Sequence, residues 1–191
     1  MALKYTQVPS DAFEKLQLNA GILVDSFTPA TGVIGNIMGA TSGGVNFTSN
    51  PTYTDYGEDV DNCPANTKQM KRITAYDPSM SGTFLTCTPA VIAALVGAAD
   101  VGTSDTTKVV PREQLVDEDF KDVWWIGDYS DKNTGDNAGF LAIHLLNALN
   151  TTGFQIQSSK DAKGTMSFEY HAHYDIEDMK APFEIYCKAG S

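Results

Sequence analysis

Between Met166 and Glu177 the chain alternates without a break. Met166, Phe168, Tyr170, Ala172, Tyr174 and Ile176 occupy one set of positions, and Ser167, Glu169, His171, His173, Asp175 and Glu177 the other. A period of two sends successive side chains to opposite faces of a strand, so this stretch predicts a half-buried strand with one polar face. A strand of that kind is stable only when partners extend the sheet and a second layer covers its apolar face. The rest of the chain must supply both.

Several segments fit that role. Gly21-Ile22-Leu23-Val24 is an apolar run too short for a helix, and 28–44 reads as a strand broken by glycine turns. Lys71 to Cys87 predicts a long strand bent at Pro78 or Gly82, and Asp122 to Tyr129, Phe140 to Leu149 and Phe183 to Lys188 predict three more, with a polar turn over 130–139. Two helices are expected. A brief one follows Asp11, which stands three residues before Glu14 at capping-box spacing, with Phe13 and Leu16 on one face. A firmer one is capped by Thr88 and opened by Pro89, with Val91, Ile92, Leu95, Val96 and Ala99 as its apolar face. The segment 50–69 has neither period. Its two prolines, its aromatics Tyr53 and Tyr56, and its acids Asp55, Glu58, Asp59 and Asp61 predict a long excursion between strands, disordered until a partner orders it. The fold class expected is mainly β, a two-layer sandwich or barrel with one or two flanking helices, in a single domain over residues 1–191.

Charge narrows the function. Twenty-four acidic residues stand against thirteen basic ones, a net charge of −11, and only Arg72 and Arg112 are arginines. Tight binding to a phosphate backbone needs clustered Lys and Arg to displace counterions, which this composition disfavours. The longest apolar run, Ala90 to Ala99, is about half of what a membrane crossing needs. The first residues show no charged-then-apolar secretory pattern, so synthesis in the cytoplasm is expected, with Cys63, Cys87 and Cys187 as reduced packing residues. The sequons at Asn46 and Asn150 then read as chance matches.

No chemistry-bearing motif stands out. His171, His173, Glu169 and Asp175 would share one strand face and could ligate Zn or Fe, but alternation alone already predicts a polar set there. Calcium-loop starts at Asp131 and Asp59 fail where oxygen ligands are needed, at Gly135 and Ala142 in one case and at Cys63 and Pro64 in the other. Gly43-Gly44 and Gly32-Val33-Ile34-Gly35 lack the Lys of a phosphate loop, and no nucleophile elbow is present. Trp124 and Trp125 could form a sugar platform, but neighbours on a strand face opposite ways, so one at most should meet solvent. The expectation is no catalytic residue, no metal and no cofactor.

Five segments taken in order carry a resemblance. They are Gly43-Gly44-Val45-Asn46-Phe47; Tyr53 through Pro64, reading Tyr-Thr-Asp-Tyr-Gly-Glu-Asp-Val-Asp-Asn-Cys-Pro; Met80 through Phe84; Trp124 through Lys132; and Pro182-Phe183-Glu184-Ile185-Tyr186. Together they resemble the major tail protein of long-tailed, non-contractile bacteriophages of Gram-positive hosts, from about Asp11 to the C-terminus. The resemblance implies a tail tube subunit: a β-sandwich with a flanking helix, closing into hexameric rings that stack into a hollow conduit for the genome, without catalysis. Some such proteins append an immunoglobulin-like domain; these 191 residues leave no space for one, so a smooth tube is expected. The implied partners are other copies of the chain, the tape measure protein, the tail terminator and the tail-tip or baseplate proteins, with DNA passing unbound and no membrane contact. The implied place is the virion tail, after assembly in the host cytoplasm. In such proteins a long loop reaches the neighbouring ring; here that is 50–69, with Tyr53, Tyr56, Glu58, Asp59 and Asp61 as contact residues. Glu169 and Asp175 are the expected lumen-facing acids. The alternatives are the tube of a contractile tail or bacteriocin and, from other classes, a β-sandwich carbohydrate-binding module or a metalloenzyme using His171 and His173.

Overall fold

The computed structural model describes residue 5, residues 8–129 and residues 138–190. The polar turn expected over 130–139 falls almost wholly outside them. The described chain is mainly β, with one α-helix. Its strands in order are β1 (Gln17–Val24), β2 (Phe27–Thr28), β3 (Val33–Ile34), β4 (Thr41–Asp55), β5 (Lys71–Phe84), β6 (Ala99–Val101), β7 (Val109–Pro111), β8 (Lys121–Tyr129), β9 (Phe140–Asn150), β10 (Gln155–Gln157), β11 (Thr165–His171) and β12 (Phe183–Lys188). The helix α1 (Pro89–Val96) lies between β5 and β6.

Eight of these strands form one antiparallel sheet in the order β1-β8-β9-β11-β5-β4, with β12 added to β9 and β10 added to β11. β9 links its two halves. Residues 140–145 pair with β12 on one side while β8 runs along the other, and only Leu149 and Asn150 reach β11. The sheet therefore divides into a β1-β8-β9-β12 leaf and a β4-β5-β11-β10 leaf. Leu23, Val123, Trp125, Ile143 and Leu145 from the first leaf share a single core with Met80, Phe84, Met166, Phe168 and Tyr170 from the second, and Val91 and Leu95 of α1 join them. This is the sandwich with a flanking helix that the strand patterns predict.

Local chemistry fixes several details. Thr88 Oγ1 accepts the Val91 amide at 3.3 Å and Pro89 opens α1, as expected. The helix stops at Val96, so Ala99 belongs to β6. At the N-terminal end the residues after Asp11 form a 3₁₀ turn (Ala12–Lys15), and the expected cap bond is not made; the Asp11 carboxylate pairs with Lys15 one turn on. Gly21 sits at φ +72 in an irregular stretch of β1, where a Cβ would come within 2.5 Å of Trp125 Nε1. That close approach lets the indole donate to the Ala20 carbonyl at 3.0 Å.

Trp124 and Trp125 face opposite ways, as expected, and neither meets solvent, at 6% and 8% exposure. The reason is that the outer face of the first leaf is itself covered: Val24, Phe27, Trp124 and Ala142 form a second cluster there, with Phe27 edge-on to Trp124 and Phe140. Neither indole presents a face to solvent. The cysteines depart from the expectation that all three pack. Cys87 and Cys187 are exposed and only Cys63 is partly buried, so two of the three do not pack.

Candidate assembly surface

β4 and β5 stay paired far beyond the sandwich. Their register runs from Thr41 opposite Phe84 to Asp55 opposite Lys71, whereas β11 leaves β5 at Ser79, opposite His171. Beyond that point the segment after β11 still touches β5, where the Tyr174 hydroxyl accepts the Tyr76 amide at 2.8 Å. Residues 71–75 lie past both contacts, so the hairpin stem projects by roughly 16 Å at about 3.3 Å per residue.

The sequence predicts a free excursion over 50–69; the structure replaces it with a built hairpin. Residues 50–55 are strand, and 56–70 form a tied loop. Asp55 organises that loop, its carboxylate accepting the Gly57 amide at 2.9 Å and the Asn66 amide at 2.7 Å. These two amides, with Lys71 nearby, hold the Asp55 carboxyl below its ordinary range. Thr67 Oγ1 donates to the Pro64 carbonyl at 2.6 Å, the Tyr56 amide to the Met70 carbonyl at 3.1 Å, and Lys71 lies 5.2 Å over the Tyr53 ring. Asn62 and Asn66 take positive φ, which Asn tolerates better than other side chains. Period analysis missed this order because it comes from an Asx-type anchor and reverse turns, which have no hydrophobic period.

The surface of the hairpin is apolar where solvent-facing strands are ordinarily polar. Tyr53 is 53% exposed, Tyr56 61% and Ile73 47%, with Val60 and Met70 also exposed. Glu58, Asp59 and Asp61 are exposed around them. A projecting, internally bonded hairpin with an apolar surface and an acidic tip is suited to docking against another protein surface.

The histidines do not form the set that strand alternation predicts. β11 ends at His171, and although Ala172 is still buried, Tyr174 and Ile176 are exposed because the sheet has ended beneath them. His171 lies between Asp77 at 3.0 Å and Glu169 at 3.4 Å. His173 turns elsewhere, its Nδ1 3.0 Å from the Asn147 carbonyl and its ring edge-on to Phe120. Asp175 belongs to a turn, where its carboxylate accepts the Glu177 amide at 2.7 Å. Glu169 and Asp175 therefore do not share one strand face. Among the described residues, no three His, Cys, Asp or Glu side chains are grouped to hold a metal ion. His144 is the buried histidine. It stacks on Trp124 at 3.8 Å between rings, with Asp122 3.0 Å from Nε2 and Glu184 3.6 Å from Nδ1.

Compared with known proteins, the chain matches no family model, and no curated protein matches it.

Proposed function

We propose that this chain is a structural tube subunit of a bacteriophage tail, closing into hexameric rings that stack into a conduit for genome ejection. The observation that carries the reading is the projecting β4–β5 hairpin, whose Tyr53, Tyr56 and Ile73 stand exposed on the single subunit. Other features support it. The outer edge of β12 has no strand partner among the described residues, and a copy of the chain added there would satisfy its backbone groups. Cyclic repetition leaves no such edge open in a ring, and a head-to-tail contact between rings extends without closing. The excess of acid over base keeps a phosphate backbone from adhering to the wall. Its partners on this reading are its own copies and the tape measure, terminator and tail-tip proteins of the virion, with DNA passing unbound.

Replacing Tyr53 to Pro64 with a short Gly-Ser linker tests the reading. The variant removes none of the core residues, so it should fold, yet it should fail to form tubes that pellet on ultracentrifugation. Tubes of ordinary length from that variant would show that the hairpin does not carry stacking.

A further inference from the structure

The β4-β5-β11-β10 leaf carries two hairpins that point in opposite directions. β5 runs from Lys71 at the stem of the projecting hairpin to Phe84, and β11 runs antiparallel to it, so that Met166 lies opposite Phe84. β10 then pairs with β11, Gln157 opposite Thr165, which puts the connecting turn 158–164 beyond the Phe84 end. The tip 56–70 and the turn 158–164 are thus separated by the length of β5, about 43 Å at 3.3 Å per residue.

The charges at the two ends are opposite. Between residues 56 and 70 stand Glu58, Asp59 and Asp61 against the single base Lys68. Between 158 and 164 stand Lys160 and Lys163 against the single acid Asp161. The stem bases are already engaged within the hairpin, Lys71 with Asn66 and the Tyr53 ring, and Arg72 with the Gln69 and Lys71 carbonyls. Glu58, Asp59, Asp61, Lys160 and Lys163 are exposed, and none has an ion pair among the described residues. The turn is also built: the Ala162 amide donates to the Ser159 carbonyl at 3.3 Å and Asp161 takes φ 60, so the two lysines flank a defined reversal. Ile156, on the adjoining β10, is 62% exposed.

We propose that the β10–β11 turn is the seat for the hairpin tip of a second copy of this chain, an inference that rests on the tube reading above. Lys160 and Lys163 meet Glu58, Asp59 and Asp61, and Ile156 covers part of the apolar surface around Tyr56 and Val60. Complementary charge at opposite ends of one subunit gives the contact a direction, because tip against tip and turn against turn both repel. A contact between two different surfaces is head-to-tail and propagates along an axis.

Charge reversal tests the pairing. The K160E/K163E variant and the E58K/D59K/D61K variant should each lose tube growth, with at least a tenfold fall in pelletable protein, while melting close to the wild type. The protein carrying both sets should recover tubes, since its tip and turn are again opposite in sign. Each reversal variant growing tubes as the wild type does, or a swapped protein that stays unassembled, would overturn the pairing while leaving the tube reading intact. Wild-type protein forming neither rings nor tubes would overturn the tube reading and this contact with it.

Discussion

Asn150 is the residue whose loss should disturb the sandwich most for its size. It is 4% exposed and uses its full bonding capacity: Nδ2 donates to the Leu95 carbonyl at 2.6 Å and the Gly153 carbonyl at 3.2 Å, while Oδ1 accepts the Glu169 amide at 2.8 Å and the Thr152 hydroxyl at 3.3 Å. Leu95 lies in the last turn of α1, where carbonyls lack intrahelical partners, so this side chain caps the helix from the sheet. It also stands where β9 hands the sheet over to β11, Asn150 being opposite Tyr170. Asn150→Ala leaves the Leu95 carbonyl and the Glu169 amide without these partners, at roughly 1–3 kcal/mol for each buried group left unpaired. The sum is about 2–6 kcal/mol, a large part of the roughly 5–15 kcal/mol that holds a domain together. At about 2–4 °C per kcal/mol for a chain of this size, Tm should fall by roughly 5–25 °C. Asn150→Asp keeps the acceptor for Glu169 but sets an oxygen against the Leu95 carbonyl, and it should fall at least as far. Thermal unfolding followed by circular dichroism reads both variants. A fall of less than about 2 °C for Asn150→Ala would refute the reasoning, showing that the four bonds add little beyond what water supplies.

Three further outcomes follow from particular groups. The Tyr170 hydroxyl is buried with no hydrogen-bond partner among the described residues, and burial pushes its ionisation upward, so Tyr170→Phe should raise Tm slightly; because a raised folded-state value means stability is lost as pH climbs above the ordinary tyrosine range near 10, the variant should also resist alkaline unfolding better than wild type. Asp55 is depressed in the folded chain, so its support of the hairpin is full above the ordinary carboxylate range and fades as pH falls through that range and below it; hydrogen exchange at the Gly57 and Asn66 amides should lose protection in acid, and Asp55→Asn should lower that protection already at pH 7. Assembled tubes should show no retention of duplex DNA at moderate salt, since eleven excess acids per subunit repeat around each ring; salt-dependent capture in a filter-binding assay would contradict this.

Legibility followed the hydrophobic period. β5, β8, β9, β12 and the Thr88–Pro89 start of α1 could be placed from the sequence because alternation and capping are local signals. The pattern over 166–177 overran its strand, since a period states which residues could share a face and not where the neighbouring strand ends; beyond His171 no sheet lies beneath Tyr174 and Ile176. The cover over Trp124 carried no signal for a similar reason, since it includes Phe27 of the two-residue strand β2, too short to show a period. The hairpin reads from the sequence as a long connection, but its internal order depends on one carboxylate reaching amides two and eleven residues on. Asn150 carried no signal beyond a sequon, although a polar residue closing a largely apolar strand is where a buried clasp belongs.

Electron microscopy of the purified protein, concentrated and imaged over a series of dilutions, tests the central claim most directly. The account predicts hollow tubes built of sixfold rings, with density for the β4–β5 hairpin bridging each ring to the next. A particle that remains a single subunit at every concentration, or a closed assembly whose hairpins all point free into solvent, would contradict it.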